Sequence, residues 1–313
     1  MRVVTSGSAY LDIDAYACCI AYAELLNGLG VAARAVSSAP PNASVCATVL
    51  GWEAGLDDYR PQADDAFVLV DVSDPHHVDP WVALERVEEV IDHHPGHETY
   101  WAGRLGPAAD IRPVGAAATQ VFERWEASGL LSRIRPSSAA LLATAILDNT
   151  LNLTGQMTTA LDVRAYDVLA RQAGLPADWP ERYFLECQAA IERELCASLE
   201  KDLKRMKPDS GLPALFAQMT VWDAGALVAR HRAEISGWLT GQGEDWLLNV
   251  IGIREGESRF LADPPISQDK VSRLVALDWH AGQAVLQPSI LRKELLRLGL
   301  SAKCRVSCHK PRG

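Results

Sequence analysis

Acidic residues and a pair of adjacent histidines recur where short apolar runs end. LDID carries Asp12 and Asp14, VLVD ends at Asp71, EEVIDHHPGH carries Asp92, His93 and His94, and ILDNT carries Asp148 and Asn149. In an open parallel sheet, ligands bind beyond the carboxyl ends of the strands. Several of these acids on one edge would repel one another by roughly 4 kcal/mol per close pair at intermediate dielectric unless cations lay among them. Hard oxygen donors with one or two imidazoles suit manganese, magnesium or cobalt rather than a thiolate zinc site. Two such ions sharing a carboxylate would lower the pKa of a bridging water and clamp a phosphoryl oxygen.

Each residue alone has a plainer reading. Asp12 or Asp14 can cap the helix beginning near Ala15, Asp71 can be a hydrogen-bonded strand-end acid, and a histidine pair is more often structural than ligating. DPHH at 74–77 shows the hazard: His76 and His77 are also adjacent, follow a turn, and read as loop residues. The joint pattern favours chemistry, because the acids fall at equivalent ends of successive strands.

The elements that must position these residues read as α/β. Strands are expected at 2–6, 31–38, 67–71 and 88–92, the third a near-continuous apolar run of the kind found inside parallel sheets. Helices are expected at 15–30, 115–129, 137–147 and 158–174, with VALERV (82–87) in a further one. A long helix is expected over 181–206, then a break at KPDSGLP. Beyond it come a strand at 215–222, a helix from about 224 to 240, a hairpin over 246–262 and the segment 274–287. The fold expected is a mostly parallel, doubly wound sheet in an N-terminal domain, 1–190, and a second, smaller α/β domain, 191–313, across a cleft.

The chain has 313 residues, is 48% hydrophobic and 22% charged, and carries a net charge of −10. That balance describes a globular protein able to bury a core and argues against a general nucleic-acid binder, but leaves room for an anion held in a local basic pocket. No apolar run approaches a membrane span, and the first residues lack a signal-peptide pattern, so a cytoplasmic protein is expected. Seven cysteines, including adjacent Cys18 and Cys19, form no disulfide framework. CRVSCH in the tail (Cys304, Cys308, His309) lacks a second metal-binding pair and reads as plain tail.

In order, LDIDAYACCIAYAELL, LVDVSDP, VIDHHP, PVGAAATQVFERW and LLATAILDNTLNL resemble the motifs of the DHH phosphoesterases, whose Asp-His-His triplet stands at 92–94. The resemblance is to the branch holding the family II, manganese-dependent inorganic pyrophosphatases, yeast-type exopolyphosphatase and prune, and it covers nearly the whole chain. It implies that Asp12, Asp14, Asp71, His93 and Asp148 are metal ligands, with Asp71 bridging. It makes His94 the substrate-facing histidine, with Asp92 orienting a histidine from behind. PSILRKE resembles the basic segment of the DHHA2-type second domain at Arg292 and Lys293. Lys204 matches a phosphate-contacting lysine, and Arg112 a phosphate-contacting arginine in an offset register. Ser8 departs from the pyrophosphatase pattern, which has a histidine four residues before the first acid of DxD. Exopolyphosphatase and prune also lack that histidine, and the prune-like pattern places its acid at Asp148 rather than Asn149.

The expected activity is metal-dependent hydrolysis of the phosphoanhydride bonds of short inorganic polyphosphate or pyrophosphate. One or two divalent ions, manganese or magnesium with cobalt a further fit, would serve as cofactor. The expected partner is a small polyanionic phosphate substrate, with no stable nucleic acid and no membrane, and a homodimer is admitted. Two alternatives stand beside it: a phosphodiesterase or nucleotidase acting on cyclic nucleotides or short oligonucleotides, and a degenerate member that binds an anion or partner without turnover.

Overall fold

The computed structural model describes residues 1–208 and 210–307, with side chains through 299. The side chains of Cys304, Cys308 and His309 therefore lie outside the described residues. The chain divides into two compact units, Met1–Tyr183 and a second beginning at Phe184.

In the first unit the elements run β1 (Arg2–Thr5), α1 (Ile13–Gly28), β2 (Ala33–Ala35), α2 (Ala47–Leu50), β3 (Ala66–Val70), β4 (Val87–Asp92), α3 (Glu98–Leu105), β5 (Ala109–Ile111), α4 (Ala117–Ala127), α5 (Pro136–Asn149) and α6 (Ala160–Ala173). Helix α7 (Trp179–Arg193) then runs past the unit boundary. The strands pair in the order β2-β1-β3-β4-β5, all parallel. Because the chain leaves β1 toward β2 on one side and later returns to β3 on the other, the order reverses between β1 and β3. That point opens a crevice beyond the strand ends.

Apolar runs form β1, β3 and β4 because both faces of a parallel sheet are covered. Val3, Phe67, Leu69, Val87 and Val90 pack with Trp101 of α3 on one side, and α1 and α4 contact the sheet and each other. Helix α1 is apolar nearly all round and almost wholly buried, as an interior helix must be.

In two places the structure departs from the sequence reading. VALERV is not helical: one 3-10 turn at Leu84–Arg86 leads straight into β4. β4 already begins at Val87, and the three residues left before it are too few to sustain an α-helix. The expected long helix over 181–206 is two helices, α7 and α8 (Leu195–Asp202), with Glu194 at non-helical angles between them. Lys204 then lies on β6 (Lys204–Arg205), an exposed edge strand. Short α3 and β5, in a stretch rich in charge and glycine, escaped the periodicity reading altogether.

The second unit continues with β7 (Leu215–Val221), α9 (Ala224–Gln242), β8 (Trp246–Gly252), β9 (Glu257–Leu261), α10 (Pro265–Ser272), β10 (Gln283–Leu286) and α11 (Arg292–Ser307). Its described strands form a mixed five-stranded sheet, β10-β9-β8-β7-β6. Strands β7 and β8 are parallel across α9, β8 and β9 form the expected hairpin, and a core gathers around Phe216, Leu247 and Phe260. The architecture is α/β throughout. Among the described residues no helix is long and apolar enough to cross a membrane.

Candidate metal centre

Strands β1 and β3 are neighbours, so the residues that follow them share the crevice where the strand order reverses. Asp12 caps α1: its Oδ1 accepts the N–H of Ala15 at 3.0 Å. The capping role weighed from the sequence is real, and it leaves the second carboxylate oxygen outside the helix's needs. Asp14, in the first turn of α1, is fully buried. Its Oδ2 accepts from Ala117 N and its Oδ1 from Ala118 N, both at 2.8 Å, and the Cys18 thiol donates to Oδ1 from one helical turn away (3.4 Å). The first amides of α4 thus hold a carboxylate that belongs to α1, an arrangement that the positive end of a helix favours.

Asp71 stands one residue beyond β3. Its N–H donates to Ile91 O of β4 (2.8 Å), after which its backbone turns left-handed, at φ 55°. Residues other than glycine adopt that region at a cost of about 1 kcal/mol or more, and aspartate tolerates it better than most. The turn carries the carboxylate to the imidazoles that follow β4. Asp71 Oδ1 lies 3.4 Å from His93 Nε2 and 3.6 Å from His94 Nδ1. Among the described residues, Asp71, His93 and His94 are a group whose ligand atoms all lie within 4.8 Å of one another.

His93 decides the chemistry. Its ring is buried, and Nδ1 lies 3.1 Å from the Val114 carbonyl, which can only accept, so Nδ1 carries the hydrogen. In the neutral ring Nε2 is then a lone pair, and it faces two carboxylates: Asp71 Oδ1 at 3.4 Å and Asp14 Oδ2 at 3.9 Å. A lone pair against two anionic oxygens is repulsive unless a proton or a cation sits between them. Burial, with the charge of Asp12 adding to it, pushes Asp14 up to about 7, against the pull of the Ala117 and Ala118 amides and Cys18. Asp148, at the end of α5, is likewise pushed up to about 7 by burial, with Asp12 and Asp14 contributing, although Tyr183 donates to its Oδ1 at 2.9 Å. The donors are one imidazole and several hard oxygens, and the site has a deficit of positive charge. Those properties fit a divalent cation.

His94 is different. Its side chain is half exposed, and Nδ1 lies 2.9 Å from Asp92 Oδ1, which also accepts the His94 backbone N–H at 3.1 Å. Burial opposes ionisation of Asp92, but these bonds from His94, with one from Ser73, outweigh it and hold the carboxyl below its ordinary range. Asp92 therefore stays anionic behind an imidazole whose other nitrogen faces outward.

Two of the basic candidates, Arg112 and Arg292, make ion pairs within their own units. Arg112 pairs with Asp110 (Nε to Oδ1, 2.7 Å) and Glu123. Lys204, Arg292 and Lys293 belong to the second unit. There Arg292 is held by Asp202 (Nη1 to Oδ2, 2.7 Å; Nη2 to Oδ1, 3.1 Å) and by the Phe216 carbonyl (3.1 Å). Ser8 donates both its N–H (2.8 Å) and its hydroxyl (3.1 Å) to His77 O, so the loop after β1 brings no imidazole.

Sequence reasoning missed the residues that hold the candidate ligands in place. Tyr183 touches Asp148 from α7, Cys18 touches Asp14, and the 114–119 loop supplies the Val114 carbonyl and the Ala117 and Ala118 amides. That loop is pinned by buried Asp162, which accepts from Gly115 N (3.1 and 3.2 Å) and the Thr119 hydroxyl (2.6 Å) while completing a capping box with Thr159. A Cβ on Gly115 would lie 2.6 Å from Thr150 Cγ2 and 2.7 Å from Asp162 Oδ2, so only glycine fits. Of these, the small-residue run GAAAT was the signal available in the sequence.

No protein-family model matches the chain. Among curated proteins, a probable manganese-dependent inorganic pyrophosphatase of Lactobacillus acidophilus is 30% identical over 168 residues, 52% of each chain. The counterpart from Streptococcus mutans is 28% identical over 302 residues, covering 94% of this chain and 96% of that one. The chain thus spans about half the length of the first relative (52%) and nearly all of the second. Two solved structures share the fold. A candidate family II inorganic pyrophosphatase of Methanococcus jannaschii superposes with a TM-score of 0.69 at 18% identity, over 95% of this chain and 99% of that one. An exopolyphosphatase-related protein of Bacteroides fragilis does so with a TM-score of 0.52 at 13% identity, over 97% and 93%. Sequence relatives and fold point the same way: the chain is similar to probable manganese-dependent inorganic pyrophosphatases and shares its fold with a candidate family II enzyme.

Proposed function

We propose that this protein is a divalent-metal-dependent phosphohydrolase that cleaves the phosphoanhydride bonds of short inorganic polyphosphate or pyrophosphate. The observation that carries the reading is the buried lone pair of His93 Nε2 set against Asp71 and Asp14. Asp12, Asp14, Asp71, His93 and Asp148 would hold one or two ions, manganese as in the relatives' names or magnesium. When bound, such ions neutralise the carboxylates, draw in an anionic phosphate and make an attacking water more acidic.

The chain's own groups supply the rest. Asp92 fixes the His94 ring, so His94 Nε2 can contact a phosphoryl oxygen or deliver a proton to the leaving phosphate. The amides of α4 and the Val114 carbonyl keep Asp14 and His93 from reorienting as charge develops. Lys204, Arg292 and Lys293 are the proposed anion contacts of the second unit, Arg292 as a planar fork already oriented by Asp202. With Ser8 where the pyrophosphatases carry a histidine, the site has one nitrogen donor fewer. We infer weaker retention of manganese, and polyphosphate ahead of pyrophosphate as substrate. The test is phosphate release from tripolyphosphate and from pyrophosphate with magnesium or manganese, against a chelated control and a nucleotide diester. Metal-dependent release, greatest from tripolyphosphate, is expected; no release from any phosphoanhydride with metal bound would refute the assignment.

A further inference from the structure

Helix α7 carries no candidate ligand, yet its first two turns are built against the site. Trp179 and Tyr183 stand one turn apart and share a face. That face meets Thr144 and Asp148, which are likewise one turn apart on α5. Trp179 Nε1 donates to Thr144 Oγ1 at 3.0 Å, and the Tyr183 hydroxyl lies 2.9 Å from Asp148 Oδ1. Trp179 packs on Trp52 and on Tyr183, with ring centroids 5.4 and 6.0 Å apart, and the Tyr183 side chain is fully buried. A ring so enclosed has one place for its hydroxyl.

That hydroxyl has a second neighbour, the Ser44 carbonyl at 3.0 Å. Ser44 ends a strap, residues 40–44, that brackets Asp12. Pro40 O accepts the Leu11 N–H at 3.0 Å, Leu11 O accepts the Asn42 N–H at 2.8 Å, and Ser44 Oγ accepts the Ile13 N–H at 2.9 Å. The residues on both sides of Asp12 are therefore held by the strap, and Tyr183 holds the strap's far end. Asp12 and Asp14 lie near enough to Asp148 for their charges to oppose its ionisation. One phenolic oxygen thus joins two sides of the same carboxylate-lined space, and every group involved belongs to the first unit.

We propose that Tyr183 is a positioning residue for the metal centre, its hydroxyl setting Asp148 against the strap that carries Asp12 so that both carboxylates face one cation-binding space. The inference rests on the reading of Asp12 and Asp148 as ligands. Carboxylates that repel one another relax by rotating apart, and a donor fixed in a buried ring opposes that rotation. Hydrogen bonds of this kind behind a ligand are usually worth about 10- to 100-fold in metal affinity.

Manganese calorimetry on the full chain, without substrate, tests the proposal. Tyr183→Phe keeps the ring and its stacking and removes only the hydroxyl. Thr144→Val removes the acceptor of Trp179 one turn away and so perturbs the same helix pair without touching a ligand. Tyr183→Phe is expected to bind manganese about tenfold or more weakly, while Thr144→Val unfolds at lower temperature in chelator but keeps its manganese affinity within about twofold. Adding Tyr183→Phe to Asp148→Ala should cost no further affinity, because the hydroxyl acts through Asp148. Equal affinity in Tyr183→Phe and wild type, or as large a loss in Thr144→Val, would overturn the inference and leave the metal-centre reading standing. A wild type that takes up no manganese would overturn both. Weakened binding in Tyr183→Phe alone supports the inference even if no phosphoanhydride is cleaved, so it stands or falls separately from the hydrolase assignment.

Discussion

If Asp14 is a carboxyl kept near neutrality by burial until a cation arrives, the metal-free protein must weaken as pH rises. The perturbation is Asp14→Asn, with all proteins kept in chelator. Unfolded, the carboxyl ionises at its model value of 3.8; folded, burial raises it to about 7. Between those values the folded chain binds the proton that the unfolded chain has released, so stability falls with increasing pH. At about 1.4 kcal/mol per pKa unit the full penalty rises to somewhat over 4 kcal/mol above pH 7, and about 1.6 kcal/mol of it has accrued by pH 5. Between pH 5 and pH 8 the wild type should therefore lose roughly 2.5 kcal/mol more than Asp14→Asn.

The other groups do not confuse this window. Carboxyls held below their ordinary range, such as Asp74, Asp92 and Asp245, add stability that is lost only on going more acid. Asp148, also raised to about 7, owes most of that to burial, which both proteins keep; the smaller part due to Asp14 is lost in the variant and adds to the difference in the same direction. The asparagine turns an amide toward one of the Ala117 and Ala118 N–H groups, which costs about 1–3 kcal/mol at every pH and shifts the curve without tilting it. Urea unfolding across the range measures the tilt. Parallel curves for the two proteins would refute the account of Asp14 as a buried acid awaiting a cation. Saturating manganese should restore wild-type stability most at pH 8 and restore little in the variant.

Three further outcomes follow from the same geometry. Asp71→Asn keeps a side chain that tolerates the left-handed turn at φ 55° and removes the central charge; manganese affinity by calorimetry should fall by roughly 100-fold or more with the fold intact. Asp92→Asn should leave manganese affinity near wild type but lower kcat by about 100-fold or more, through loss of the anion behind His94; a matching loss of metal binding would make Asp92 a support of the ligands instead. Gly115→Ala drives a methyl against Thr150 and Asp162, so thermal denaturation should show a loss of about 1–3 kcal/mol together with weaker manganese binding.

The sheet was legible because its evidence is local. Apolar runs such as FVLVD mark buried parallel strands by composition alone, and the acids at their ends report the ligand edge without knowledge of which strands are neighbours. Asp12, Asp14, Asp71 and His93 could be assigned to one edge for that reason. What periodicity could not supply was the crossover at 71–86, where apolar residues 82, 84 and 87 mimic a helix face. There the early start of β4 at Val87 leaves room for a single 3-10 turn. The break at Glu194 was hidden for the converse reason: both sides of it are good helix, and only β6 pairing with β7 shows that the chain turns.

The residues that make the edge a site, rather than a collection of acids, are joined over long sequence distances. Ala117 and Ala118 bind an oxygen pair more than a hundred residues earlier, and Asp162 holds Gly115 and Thr119 across more than forty. Asp162 touches none of the proposed ligands. It fixes the loop whose carbonyl sets the His93 tautomer and whose amides anchor Asp14, so the ligands cannot rotate away to relieve their mutual repulsion. Conversely, a chain that kept every strand-end acid but lost Gly115 or Asp162 would retain the motif, and its carboxylates would be free to separate and protonate instead of gathering a cation. On the proposed assignment, the strength of metal binding would be set in α6 and the 114–119 loop as much as at the strand ends where the proposed ligands lie.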